Sequence, residues 1–461
     1  MSVLAPAKPV SPLVRPRPPA WPIALAPSAL ALALGLWGIR RQNTLWGDEA
    51  VTYDLAHRDL SQIWATAQHI DLVHALYYAV MHAVFTVLGD GLLTLRLPSA
   101  LAMSAAAAGV TVLGLRLAGP RAGLLAGLAF AVLPQVQKYA QEGRSYAMVC
   151  ALVTWATYAL VTPTRWRWPI YGSTMLLACL LHEFAALALA AHGVTLLVAR
   201  SRALRAWAAT AGFVVAGLLP LAIRSAGQSS QLAWIESPVR LPGVLLMTGL
   251  ALACAVTPLR RRGPVHLKAL AVPLAVLPTL LLLLASLIKP VFVDRYVLFS
   301  STGTALLLGA CLDHTLRRTP LITGVATLTA LLALTPASLA LRTPESRTNN
   351  ATAITTAVQE TAHPTDGLLY LPSQSRTLTT PLPMDLALAR TPKASNTLTG
   401  IEFPAQDIPT RMLRFARLIV IHTGSPTTPQ DEAKTTTLRD HFRQHESTQV
   451  NGARITVYER R

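Results

Sequence analysis

The chain has 461 residues, of which 52% are hydrophobic and only 13% charged, with a mean hydropathy of +0.43. A soluble globular protein carries about 25% charged residues, so this deficit excludes an ordinary soluble domain and, with repeated apolar runs, indicates a polytopic membrane protein. The net charge of +18 is not read as nucleic-acid binding, because no basic stripe with interleaved aromatics is present and most Lys and Arg sit between the apolar runs.

A Pro-rich basic tail, residues 1–21, comes first. The apolar run behind it has no small-residue cleavage site and is expected to stay as an anchor. Eleven spans are expected, at about 22–39, 98–117, 121–136, 145–161, 168–182, 184–199, 206–225, 242–258, 269–288, 296–312 and 320–341. A further apolar segment, 72–88, carries His74 and His82. If it does not cross, 16 basic residues fall inside, among them Arg260, Arg261 and Arg262, and 10 fall outside before the tail. If it crosses, every later loop inverts. The positive-inside rule therefore predicts an interfacial or re-entrant segment, a cytoplasmic N-terminus and an outer loop over 40–97. Cys150, Cys179, Cys254 and Cys311 all lie in apolar runs without a C-x-x-C, and read as packing residues.

From residue 342 the composition turns polar. Short strands are expected at Gly367–Leu371, Arg417–Ile421 and Ala453–Tyr458, with a helix from about Asp431 to His445. The pattern predicts a small α/β domain over 342–461 on the outer face, the same face as the loop 40–97. No nucleotide-binding glycine pattern occurs in it, and a packing or lid role is the plain reading.

Four stretches carry chemistry. Trp46-Gly47-Asp48-Glu49-Ala50 puts two carboxylates just past a span, where low dielectric makes them costly unless they work. They read either as a solvated turn or as a general base for an attacking hydroxyl. Around Glu142 and Arg144, charged residues interrupt apolar sequence before Tyr146. They make either a structural ion pair or a charged cavity lining. Lys289 and Arg295, with Asp294 and Tyr296, sit between two late spans. The planar fork of Arg295 suits phosphate oxygens, although an Arg can also snorkel to the interface. His74 and His182 end apolar segments. With Asp48 and Glu49 they allow a divalent-metal set, but no HExxH or comparable spacing favours one.

At these residues the chain resembles the GT-C membrane glycosyltransferases, in particular the family 39-like branch of bacterial and actinobacterial mannosyltransferases, protein O-mannosyltransferases and lipid A aminoarabinose transferases. Leu45-Trp46-Gly47-Asp48-Glu49-Ala50 is similar to the acidic motif of the first outer loop. His74-Ala75-Leu76-Tyr77-Tyr78 sits where the family has H-P-P-L-Y-Y, here without either proline. Leu95-Arg96-Leu97-Pro98-Ser99 resembles R-L-P-S, Gln141-Glu142-Gly143-Arg144-Ser145-Tyr146 resembles Q-E-A-R-x-Y with Gly143 for Ala, and Arg295-Tyr296 resembles the late R-Y.

The resemblance covers about residues 20–340 and implies a helical GT-C-like bundle of about 11–13 membrane helices. It implies an inverting transferase that takes a sugar, most often mannose, from a polyprenyl phosphate and needs no cofactor. Asp48 would be the base, with Glu49 beside it. Arg295, Lys289 and Arg144 would hold the lipid phosphate, and His74, Tyr77, Glu142, Tyr146, His182 and Tyr296 would line the cavity. The acceptor is open between an envelope glycan, a secreted protein and a secreted peptide natural product. A lipid-linked sugar flippase is the alternative, but it calls for an internal repeat that the sequence lacks.

Overall fold

Long apolar runs without charge leave the backbone one way to satisfy its own polar groups, which is to form helices. The computed structural model describes residues 20–228, 241–258, 265–373, 375, 402–425 and 428–461. It is a helical bundle followed by a four-stranded sheet. The helices are α1 (Ala20–Leu36), α2 (Gly47–Ala56), α3 (Leu60–Ala67), α4 (Ala75–Leu88), α5 (Leu92–Leu117), α6 (Pro120–Val132), α7 (Pro134–Ala140) and α8 (Tyr146–Val161). They continue as α9 (Arg167–Leu181), α10 (Leu187–Val198), α11 (Leu204–Ala226), α12 (Leu241–Ala255), α13 (Leu267–Ser286), α14 (Ser300–Arg318) and α15 (Pro320–Ala340). Every expected span overlaps at least one helix. Among the described residues five segments, Pro22–Asn43, Leu92–Leu117, Leu204–Ala226, Leu267–Ser286 and Pro320–Ala340, are long and apolar enough by themselves to cross a membrane.

The expected span 121–136 is cut short. Pro134 forces Leu133 out of helical geometry, to φ −59 and ψ 127, so α6 stops at Val132 and α7 restarts in a new direction. Small residues let the helices approach closely. A Cβ on Gly114 of α5 would lie 2.7 Å from the Cα of Gly123 on α6.

Segment 72–88 forms a short turn and then α4, and both ends of α4 lie at the same end of the bundle. His74 at its start touches Ser145 and Tyr146. Arg96, in the second turn of α5, donates to Glu49, Ile39 O and Thr44 O. Only residues 89–91 join the two helices. A crossing helix of this length would carry Gly89 about 20 Å away, too far for three residues to return. Instead α4 packs along α2, with His82 Nδ1 3.1 Å from Ala56 O and Asp90 within 3.1 Å of the Tyr53 hydroxyl. The opposite end of the bundle carries Arg121, Asp313 and Arg317, with Asp313 Oδ2 3.0 Å from Arg317.

The C-terminal part has α16 (Ala351–Thr361), α17 (Ile408–Met412), α18 (Pro429–His441) and strands β1 (Gly367–Leu371), β2 (Arg417–His422), β3 (Phe442–Val450) and β4 (Ala453–Arg460) in the order β1-β2-β4-β3. β1 and β2 are parallel, and the other pairs are antiparallel. Alternation along β2 separates two cores. Ile419 and Ile421 meet Ile354 and Val358 of α16, while Leu418 and Val420 meet Met412, Leu438 and Phe442.

The expected helix 431–445 is corrected here: it ends at His441, and Phe442–Val450 is a strand. This edge strand is exposed along most of its length, so it has no apolar period to read. Its signal is the Asn451-Gly452 hairpin turn, with Gly452 at φ +89 and Val450 opposite Ala453.

Candidate functional site

The two adjacent carboxylates occupy the first turn of α2, about 100° apart around the helix, so they face different surroundings. Glu49 points into the bundle and is fully buried. Arg96 grips both of its oxygens at 2.7 Å, Arg41 donates to Oε2 at 2.5 Å, and the Gly143 N–H donates to Oε1 at 3.0 Å. Burial alone would push the Glu49 carboxyl up, but the charges of Arg41 and Arg96 outweigh it and hold the pKa at about 2. Asp48 is partly exposed, and its Oδ2 lies 3.1 Å from Nη2 of Arg295.

Arg295 sits in a short 3-10 turn ahead of α14. Its Nε donates to the Tyr146 hydroxyl at 3.1 Å, and its guanidinium lies 5.7 Å from the Trp46 ring centre and 5.4 Å from that of Tyr146. Around it, His182 packs against Tyr296 with ring centres 4.6 Å apart, against Tyr146 at 5.4 Å and against His74 at 5.5 Å. Phe184 stacks on Tyr296. Arg144 enters from the other side, donating to the Tyr78 hydroxyl at 2.8 Å, while Asp71 Oδ2 lies 3.4 Å from its Nη2. Tyr78 also donates to Asp71.

The fold thus brings together Asp48, Arg295, Arg144, Tyr146, Tyr296, His74 and His182. Tyr77 is fully buried, and its hydroxyl has no hydrogen-bond partner among the described residues. Glu142 is paired with Arg347, whose Nε is 3.5 Å from Glu142 Oε2. Burial pushes the Glu142 carboxyl up, against the pull of Arg347. Lys289 is exposed on the turn after α13. The four residues considered for a divalent metal do not converge, since Glu49 is taken by two guanidiniums and Asp48 faces Arg295. Among the described residues no group of three or more His, Cys, Asp or Glu is arranged for a metal ion.

Sequence reasoning missed Asp71, Arg41 and Arg347 as site residues, and gave Tyr78 only as part of the His74–Tyr78 stretch. Asp71 carries a signal only in three dimensions, a left-handed φ of +56 beside Arg144. Arg347 lies beyond the bundle, and nothing in its neighbours marks it as a partner of Glu142.

No family model matches the sequence, and no curated protein matches it. Solved structures do. ArnT from Cupriavidus metallidurans in the apo state aligns over 95% of this chain and 98% of its own, at 13% identity and a TM-score of 0.60. ArnT from the same organism bound to undecaprenyl phosphate aligns over the same shares at 14% identity and a TM-score of 0.59. Arabinofuranosyltransferase AftD from Mycobacteria aligns with 96% of this chain and 42% of its own, at 16% identity and a TM-score of 0.47. The membrane bundle and its C-terminal sheet therefore share the overall fold of ArnT.

Proposed function

We propose that the chain is a GT-C glycosyltransferase that moves a sugar from a polyprenyl phosphate to an acceptor hydroxyl, and that it works at the outer face of the membrane with inversion. The observation that carries this reading is the split between the two carboxylates. Glu49 is consumed by Arg41 and Arg96, while Asp48 stays partly exposed and its Oδ2 sits 3.1 Å from a phosphate-binding candidate, Arg295. The shared fold with ArnT, one structure of which holds undecaprenyl phosphate, supports a lipid phosphate as the donor's carrier.

In this mechanism the acceptor oxygen attacks the anomeric carbon and its proton passes to Asp48. The bond from that carbon to the phosphate oxygen breaks, and its electron pair leaves with the polyprenyl phosphate. Arg295 stabilises the departing charge, with Arg144 as a further positive group. In the resting site Arg295 neutralises Asp48. A donor phosphate competes for the same guanidinium and leaves Asp48 free to act as a base, so donor binding prepares the attack. Tyr146, Tyr296, His74 and His182 offer ring faces and polar edges suited to a sugar. Mannose is the sugar we propose, on the resemblance of the motifs alone.

The test is transfer by the purified protein from polyprenyl-phosphate mannose to a panel of hydroxyl acceptors. Asp48→Asn should lower kcat at least about 100-fold while donor binding persists. Undiminished transfer by that variant would remove Asp48 as the base, and lipid translocation without transfer would replace the reading with a flippase.

A further inference from the structure

Helix α2 begins without a cap of its own. Trp46 stands at the N-cap position, where its side chain accepts no hydrogen bond from the first turn. That role usually falls to Ser, Thr, Asp or Asn. Here the acceptor comes from 302 residues further along the chain: the Gly47 N–H donates to Asn349 Oδ1 at 2.7 Å.

The contact is part of a latch. The Leu45 N–H donates to Thr352 Oγ1 at 2.9 Å, and the Ala351 N–H donates to Leu45 O at 2.9 Å. Two residues before Asn349, Arg347 faces Glu142 and donates to Lys138 O at 3.0 Å. The sheet holds the latch from behind. The Asn350 N–H donates to Asn451 O at 3.1 Å, and Gly452 presses so closely on Asn349 that a Cβ there would overlap its side chain. Asn349 thus sits between the β3–β4 hairpin and the first turn of α2.

We propose that Asn349 is a positioning residue for Asp48: it supplies the cap of α2 from outside the bundle and ties the aim of Asp48 to the C-terminal sheet. The role given to Asp48 rests on the function proposed above; the capping itself does not. Asp48 directly follows the capped Gly47, and its carboxylate must meet both Arg295 and an acceptor hydroxyl. Without the Asn349 amide oxygen the Gly47 N–H loses its partner and the first turn frays. A misplacement of about 1 Å in a catalytic group can cost on the order of 100-fold in rate.

The full chain in nanodiscs decides this with two variants. Asn349→Leu keeps the size and removes the acceptor, while Asn349→Asp keeps the acceptor. Amide hydrogen exchange over residues 47–51 should rise roughly tenfold in Asn349→Leu and stay near wild type in Asn349→Asp, with β2 unchanged in both. With polyprenyl-phosphate mannose, kcat of Asn349→Leu should fall about 10- to 100-fold, KM for the donor should stay within about twofold, and Asn349→Asp should restore kcat. Unchanged exchange in Asn349→Leu overturns the proposal, and so does loss of protection in β2 in parallel, which would mark general loosening. Raised exchange with unaltered kcat overturns the tie to Asp48. If the wild type transfers no sugar, the functional reading falls, and the exchange measurement still decides whether Asn349 holds the turn.

Discussion

Asp48 and Glu49 are successive residues in one helical turn, and their neighbours give them different work. Glu49 balances two buried guanidiniums, so its folded pKa of about 2 lies below the usual carboxylate value of 4.5. A depressed carboxylate contributes stability that is fully present above its unfolded pKa and is lost as pH falls through the folded one. The contribution is about 3 kcal/mol, lost between roughly pH 4.5 and pH 2. Glu49→Gln should therefore lower stability by about 3–5 kcal/mol at pH 7, because Arg41 and Arg96 keep their buried charges without an anion. Thermal unfolding in detergent checks it, and the gap from wild type should narrow as pH falls from 5 toward 3. A gap independent of pH would show that the carboxylate charge is not what stabilises this position.

At the scale of elements, the turn between α7 and α8 shows how a motif is fitted to its neighbours. Gly143 stands where the resemblance leads one to expect Ala. A Cβ there would lie 2.6 Å from Cγ of Leu95 on α5, which is fully buried. The same turn gives its Gly143 N–H to Glu49. Gly143→Ala is expected to cost about 1–3 kcal/mol through overpacking. Leu95→Ala in the same chain should recover part of that loss, giving a coupling energy of at least about 0.5 kcal/mol in a double-mutant cycle. Additive losses would mean that Leu95 is not the obstacle. The chain's departure from the family pattern at Gly143 thus has a packing reason that its own sequence did not state.

At the scale of the whole molecule, the acidic motif, the paired arginines and the sheet all gather at one end of the bundle, opposite Arg121 and Arg317. α4 returns to the end from which it starts, and the orientation proposed above puts that end at the outer face. An impermeant thiol reagent on intact cells should label a cysteine placed at exposed Asp90 and leave one at exposed Arg318 unlabelled until the membrane is permeabilised. Labelling of Arg318→Cys from outside would invert the proposed orientation. Cys150, Cys179 and Cys254 are buried, which keeps their background low. By itself the sequence determined the helical membrane bundle, the approximate positions of its long helices, three of the four strands and most of the residues around Arg295. Each of these rests on local signals: runs of apolar residues, alternation, and charges that are costly beside a span. Only the tertiary structure decided that Glu49 is held by two arginines, that Glu142 pairs with Arg347, that a polar edge strand completes the sheet, and that Asn349 caps the helix bearing Asp48. Those outcomes depend on which distant groups meet, and a hydrogen bond across 302 residues leaves no pattern along the chain.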